Sequence, residues 1–331
     1  MFLTLELTSK CNYRCPFCFI NTKDARENQL QQTIRFKDIK SDLEWLIDRG
    51  LLYCTITGGE PLVHPDFKEI YSFLKDSGVV VTVFTNLSCV DDQLMELFIQ
   101  KPPFRIETTM YGFNNSTYAE ATGQGTFTAE DFKNRVLHMR KKGINVICKT
   151  PLNTLTYPDF HQMKEWCETN GVYYYYSEQV FSTYDGESMN CYKLDDHINE
   201  EIIIDRVSDD KTENISKFGY KKAFDCGAAK YGFFISHSYA LRPCMSFYVI
   251  DEASFPIAET GIDLAFQKLE SFIQEHKTGN LSDCKGCNAF PFCKVCVIDE
   301  IKKNKHISSG YANKCTSYSK IHDFIMSNRE N

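Results

Sequence analysis

The 331-residue chain has no block of basic residues. Its 37 Lys and Arg stand against 44 Asp and Glu, a net charge of −7, so nothing in it tracks a phosphate backbone and nucleic acid is not an expected partner. No apolar run approaches the roughly 20 residues that span a bilayer. The start, Met1-Phe-Leu-Thr-Leu-Glu6, lacks the basic and apolar regions of a secretory signal. No membrane partner is expected, and the expected location is the cytoplasm. The eight histidines form no ligand-spaced cluster. Cysteine is what the chain does have, fifteen in all. In a reducing compartment they read as metal ligands or buried thiols, and the odd count agrees with that.

Their distribution is uneven. Cys11, Cys15 and Cys18 fall within eight residues, seven more gather in the last third, and Cys54, Cys89, Cys148, Cys167 and Cys191 are scattered between. Cys54, Cys89, Cys148 and Cys167 read as small core hydrophobes. Thiolates crowded into one loop are costly unless a metal or a disulfide takes them. A closed zinc or iron-sulfur site needs four ligands, whereas three leave one coordination position open for chemistry. The front loop therefore reads as catalytic, with three ligands of a zinc site as the plain alternative.

The spacing C-x3-C-x2-C, with Phe17 between the last two cysteines, resembles the signature loop of the radical S-adenosylmethionine (SAM) enzymes. The resemblance implies a 4Fe-4S cluster on Cys11, Cys15 and Cys18, with SAM on the open iron. One-electron reduction would cleave SAM to methionine and a 5'-deoxyadenosyl radical, which takes a hydrogen atom from substrate. Phe17 is implied as a SAM neighbour.

From residue 2 to about 176, short apolar runs alternate with amphipathic helical stripes. Strands are expected at 2–7, 53–57, 79–84, 104–110, 144–149 and 172–176, the last reading as a strand covered on both faces. Between them lie helices striped by Ile39, Leu43, Leu46 and Ile47, by Phe67, Ile70, Tyr71 and Leu74 behind an Asp66 cap, by Leu94, Leu97 and Phe98, by Phe132, Val136 and Met139, and by Phe160, Met163 and Cys167. Repeated strand-helix units give an α/β fold with a parallel sheet, either open or closed as a barrel, and periodicity does not separate the two. The resemblance implies a partial (β/α)6 radical SAM barrel. In either form the site belongs at the C-terminal strand ends, where the cysteine loop lies.

Further motifs follow other strands. In Thr57-Gly58-Gly59-Glu60-Pro61, two glycines allow close backbone approach to a ligand and Glu60 offers an acceptor for a cation. The stretch resembles the family's GGE motif, which implies that Gly58, Gly59 and Glu60 hold the SAM amino group. Thr85-Asn86 occupies the place of the family's Thr-Asn-Gly, with Leu87 where the glycine would be. Thr108-Thr109-Met110-Tyr111-Gly112 resembles a turn whose hydroxyl lies near SAM. Asn86 and Thr109 are thus implied SAM contacts. Thr117 to Phe127 looks like the loop entering the next helix in peptide-modifying members. Lys149, Thr150, Tyr175, Ser177 and Glu178 sit at strand ends, but alternation turns only half of such residues inward. No residue is assigned as catalytic.

In the last third the strand-helix rhythm breaks. Cys226, Cys244, Cys284, Cys287, Cys293, Cys296 and Cys315 resemble the SPASM extension, a small irregular cysteine-rich iron-sulfur domain with up to two auxiliary 4Fe-4S clusters. The resemblance implies one cluster on Cys284, Cys287, Cys293 and Cys315 and another on Cys226, Cys244 and Cys296, whose fourth ligand is missing or is not cysteine. Two departures stand out: two residues instead of three precede the fourth quartet cysteine, and Tyr239 replaces a glycine. Zinc is the alternative, disfavoured because the two C-x2-C pairs lie only five residues apart. The expected organisation is a barrel over 1–200, a linker over 201–220 and a SPASM-like domain over 221–331 ending in a helix.

The resemblance thus implies a radical SAM oxidoreductase of the peptide-maturase type, which modifies a ribosomally synthesised peptide (RiPP maturation) by thioether or carbon-carbon cross-linking. Formylglycine formation, as in sulfatase maturation, and cofactor or small-molecule maturation are the enzymatic alternatives. A zinc-binding adaptor is the non-enzymatic one. Expected partners are a peptide substrate and a flavodoxin or ferredoxin as electron donor. With a strand starting at residue 2, any leader recognition would fall to a separate leader-binding protein.

Overall fold

The structure, a computed structural model, describes residues 1–20, 33–178, 180–209 and 227–276. Six strands follow the alternation read in the sequence to within two residues: β1 (Phe2–Glu6), β2 (Tyr53–Thr57), β3 (Val80–Thr85), β4 (Arg105–Thr109), β5 (Val146–Pro151) and β6 (Tyr174–Ser177). Each pairs in parallel with the next, as right-handed strand-helix units require. The helices between them are α1 (Phe36–Asp48), α2 (Phe67–Asp76), α3 (Asp92–Gln100), α4 (Asn115–Thr122), α5 (Ala129–Lys141) and α6 (Phe160–Thr169), with α7 (Asp196–Asp209) after β6.

Leu3, Leu5, Ile56, Val81, Val83, Ile106, Val146 and Cys148 point to the helices and form one core with Ile39, Leu43, Ile70, Phe98, Phe132 and Met163. Alternation then commits Thr4, Glu6, Thr57, Phe84, Glu107, Thr109 and Lys149 to the other, inner face. Among the cysteines assigned to the core, Cys54, Cys148 and Cys167 are buried, whereas Cys89 is only half-buried, near Cys11.

Several expectations need correction. The sheet does not end with the barrel. β7 (Gly232–Ile235) pairs in parallel with β1 on its free side, and β8 (Ala240–Arg242) and β9 (Phe255–Pro256) follow antiparallel, giving the order β6-β5-β4-β3-β2-β1-β7-β8-β9. One sheet therefore crosses the division expected near 200–221, and residues 201–209 of the expected linker are helical. The helices α8 (Ile257–Thr260) and α9 (Ile262–His276) come after β9.

β6 is an edge strand, not a doubly covered one, and Tyr173 and Tyr175 stand exposed. Within the loop from Thr117 to Phe127, residues up to Thr122 are helical, in α4. Asp66 does begin α2, but its carboxylate makes no cap bond there. It accepts instead from Arg35 at 2.7 and 2.8 Å and from the Phe36 N–H at 2.9 Å, so it fixes the start of α1. That pairing with Arg35 holds Asp66 at about 2, below the usual carboxylate range.

Candidate active site

The loop leaving β1 carries Cys11, Cys15 and Cys18 at the C-terminal end of the parallel sheet. Backbone bonds shape it: Cys18 N–H donates to Cys15 O at 3.1 Å and Arg14 N–H to Thr122 O at 2.9 Å, while Tyr13 N–H donates to Cys11 Sγ at 3.3 Å. Aromatic rings brace it from behind. Tyr13 meets Tyr111 at 5.9 Å and Tyr118 at 6.5 Å, and Phe17 lies 6.3 Å from Tyr111 and 6.2 Å from Tyr192. Such contacts add roughly 0.5–1.5 kcal/mol each beyond the area they bury.

None of the three cysteines is in a disulfide. Burial pushes Cys11 up to about 12 and raises Cys15, and each is raised further by its neighbouring cysteines. The described residues contain no group of three His, Cys, Asp or Glu arranged to hold a metal ion. A polynuclear cluster, whose ligands sit on different irons, needs no such convergence. Three neighbouring cysteines outside any disulfide fit a 4Fe-4S cluster in that respect.

The Gly58-Gly59-Glu60 turn packs directly under this loop. Gly59 N–H donates to Thr8 O at 2.7 Å and Glu60 N–H to Lys10 O at 2.8 Å. A Cβ on Gly59 would lie 2.4 Å from Lys10 O and 2.6 Å from Ser9 O, and one on Gly58 2.7 Å from Thr8 O. The close approach that the sequence suggested is therefore to the backbone entering the cysteine loop. Glu60 is buried, and its carboxylate accepts from Thr85 Oγ1 at 2.7 Å, Asn86 N–H at 2.7 Å and Leu62 N–H at 3.0 Å. Burial nevertheless outweighs these bonds and raises Glu60 to about 7. A carboxylate has about four acceptor positions, so one is left for a further donor.

Asn86 ties the end of β3 to the cysteine loop. Its Nδ2 donates to Asn12 Oδ1 at 3.0 Å, and Asn12 Nδ2 donates to Ser88 Oγ at 2.7 Å. Leu87, in the glycine's place, is buried and takes φ of +66°. Thr109 is half-buried on the inner face at the end of β4.

Of two further inner-face groups, the first escaped the sequence reading and the second was named there only as a strand-end residue that could turn inward. Glu6 is fully buried, and its carboxylate accepts from Tyr184 O–H at 3.0 Å and from His237 N–H at 3.0 Å and faces His237 Nδ1 at 2.6 Å. Tyr248 O–H lies 3.2 Å from His237 Nε2, and the rings of Tyr184 and Tyr248 stack 3.5 Å apart. The signal for Glu6 was present: a carboxylate at an inner position of an otherwise apolar alternating strand. The second group is Lys149, whose Nζ lies 3.3 Å from the Phe84 ring centre and 3.4 Å from Glu107 Oε2. Burial lowers it to about 8 against the pull of Glu107, which also pairs with Arg105 at 2.6 Å.

Of the seven cysteines of the last third, Cys244 is half-buried and packs against the core at the start of a short turn, Met245–Val249. Cys226, Cys284, Cys287, Cys293, Cys296 and Cys315 lie outside the described residues.

Residues 5–167 match the model of the Radical SAM superfamily. This part of the chain is a radical SAM domain. The match runs from β1 almost to the end of α6, so the radical SAM domain contains the cysteine loop, the glycine turn and the ends of β3 and β4. Among known proteins, the chain is 33% identical over 94 residues to the antilisterial bacteriocin subtilosin biosynthesis protein AlbA of Bacillus subtilis, over 28% of this chain and 20% of AlbA. It spans between 20% and 52% of the first curated relatives it matches. Streptococcus suis SuiB bound to precursor peptide SuiA shares the fold with a TM-score of 0.70 at 16% identity, over 95% of this chain and 75% of SuiB. The AdoMet- and Kp18Cys-peptide-bound anSMEcpe does so with a TM-score of 0.72 at 15% identity, over 99% of this chain and 97% of that one. These likenesses establish the fold as a partial radical SAM barrel.

Among the described residues no helix is long and apolar enough to cross a membrane.

Proposed function

We propose that the chain is a radical SAM enzyme that oxidatively modifies a ribosomally made peptide, forming a thioether or carbon-carbon cross-link. One observation carries the reading: three cysteines outside any disulfide on the loop after β1, at the strand ends, clamped from below by the glycine turn that presents Glu60. Similarity to AlbA and to peptide-bound SuiB and anSMEcpe supports a peptide substrate. Cys11, Cys15 and Cys18 would hold the 4Fe-4S cluster. When bound, that cluster and SAM supply a 5'-deoxyadenosyl radical on one-electron reduction.

The chain's own contribution is placement. Tyr13, Tyr111 and Tyr118 exclude water behind the loop, and the Asn12-Asn86-Ser88 ties fix it to the end of β3. Glu60 offers its remaining acceptor position to the SAM ammonium group, while Asn86, Thr109 and Phe17 flank the same strand ends. Up to two auxiliary clusters on the cysteines of the last third, Cys244 among them, would take the substrate's electron. A flavodoxin or ferredoxin would deliver the reducing electron. A reducing compartment such as the cytoplasm suits a chain whose nine described cysteines are in no disulfide.

Anaerobic reconstitution tests the reading. The expected result is a brown protein with iron and sulfide, forming 5'-deoxyadenosine from SAM under dithionite, and losing that activity in Cys11→Ala, Cys15→Ala or Cys18→Ala while keeping part of its iron. A colourless protein holding zinc, with no 5'-deoxyadenosine, would overturn it in favour of an adaptor.

A further inference from the structure

A small apolar pocket opens between the two described cysteine-bearing segments. Phe19, the residue after Cys18, forms one wall, and Met245, the residue after Cys244, forms another, with Phe181 closing the side. The stacked rings of Tyr184 and Tyr248 make the floor. The Glu6–His237 pair holds this floor in place: Tyr184 O–H donates to Glu6 and Tyr248 O–H bonds to the His237 ring. Tyr184 N–H donates to Phe19 O at 2.8 Å, which ties floor to wall. The floor is thus set before anything binds, which lowers the entropy cost of binding.

The chemistry of the pocket restricts what enters. No charged residue lines it, and the polar groups besides the two tyrosines are the hydroxyls of Ser182 and Ser246. Phe181 is 47% exposed and Met245 36%, large apolar surface that stays wet unless something covers it. The cavity encloses about 40 Å³. One water needs roughly 10–15 Å³ by the same measure, so the space suits a group of three or four heavy atoms. An indole or a cofactor ring does not fit, and a charged side chain would lose its hydration without a partner.

The geometry points to this pocket as the binding site for one short aliphatic side chain, of valine or leucine size, on the peptide substrate. The inference rests on the reading of the chain as a peptide-modifying enzyme and adds a sequence preference to it. A residue seated here touches the segments on both sides, those of Cys18 and of Cys244, and places its neighbours along the peptide before the cysteine loop.

Saturation-transfer NMR on the reconstituted enzyme tests it, with N-acetyl-L-leucinamide, N-acetyl-L-tryptophanamide and N-acetyl-L-glutamic acid amide, each at tens of millimolar. Transfer to the leucine methyls is expected, at least threefold stronger than to the indole or to the glutamate chain. It should vanish in Ser246→Trp, which fills the mouth, while circular dichroism and the melting temperature of that variant stay at wild-type values. If Ser246→Trp unfolds, Met245→Ala, which widens the wall, serves instead and should shift the preference toward tryptophanamide. Equal transfer from all three amides, no transfer from leucinamide, or leucine transfer undiminished in the plugged variant would overturn the pocket. Formation of 5'-deoxyadenosine is read separately. Leucinamide binding without it would retain the pocket and remove the radical reading, and the converse would do the opposite.

Discussion

At Leu87 the backbone holds a left-handed conformation that costs a residue with a Cβ about 1 kcal/mol or more. The side chain is fully buried, which offsets that cost. Removing a buried leucine side chain costs about 3–5 kcal/mol, so Leu87→Gly should lose about 2–4 kcal/mol net in urea unfolding even though it relieves the backbone. Tyr239, the other position where a glycine was expected, also has positive φ, at +56°, and its hydroxyl donates to Asp38 O at 2.9 Å and to Asp42. The sequence marked both positions only as departures from the family's glycine, and the left-handed backbone that persists there was not read from it. What the pattern hid was the side chain that compensates. Glu60 supports a prediction with a sign. Its folded value of about 7 lies above the ordinary 4.5, so the native state binds more protons than the unfolded chain between those pH values. The buried charge therefore costs stability above pH 7, by up to about 3 kcal/mol, and the cost is relieved as pH falls toward 4.5. Glu60→Gln does not titrate, but turns an amide NH₂ toward the Asn86 or Leu62 N–H. Chemical denaturation at pH 7.5 and pH 5 should show the wild type gaining on the variant at the lower pH.

At the scale of elements, the cysteine loop and the glycine turn form one unit rather than two motifs. Gly59→Ala would drive a methyl into the carbonyls of Ser9 and Lys10, which are backbone and do not yield cheaply. The expected outcome is a lowered melting temperature together with loss of iron from the loop, read as a fall in iron per protein and in 5'-deoxyadenosine. Gly78→Ala, at a position with open space but φ of +80°, controls for a plain backbone effect and should lower stability while leaving iron content unchanged. The strands and helices were legible because a period of two or of 3.6 is a local signal. Strand order is not local. The tyrosines of β6 read as a covered strand until their place at the sheet edge was known, and Asp66 read as a cap for the helix it precedes because its true partner, Arg35, lies 31 residues away.

For the whole molecule, the decisive contact is β1 against β7. The barrel was legible, and so was the cysteine loop. The continuation of the sheet was not, since Glu6 and His237 are 231 residues apart and nothing near either announces the other. A chain ending at Asp209 would leave β1 as a bare edge and Glu6 buried without His237. Such a truncation should be insoluble or elute in the void volume of a sizing column, whereas an independent barrel domain would elute as a monomer.

The partnership of Phe2 with Gly232 also sets a schedule for the newborn protein. At the usual pace of roughly 5–20 residues per second, the first strand waits on the order of 10–50 s on the ribosome for the strand that completes it. Until then the neighbouring cysteines hang from a sheet with one side open. A cluster held by these thiols, as proposed, would be inserted only once that strand has paired, and the thiols would have to stay reduced until then.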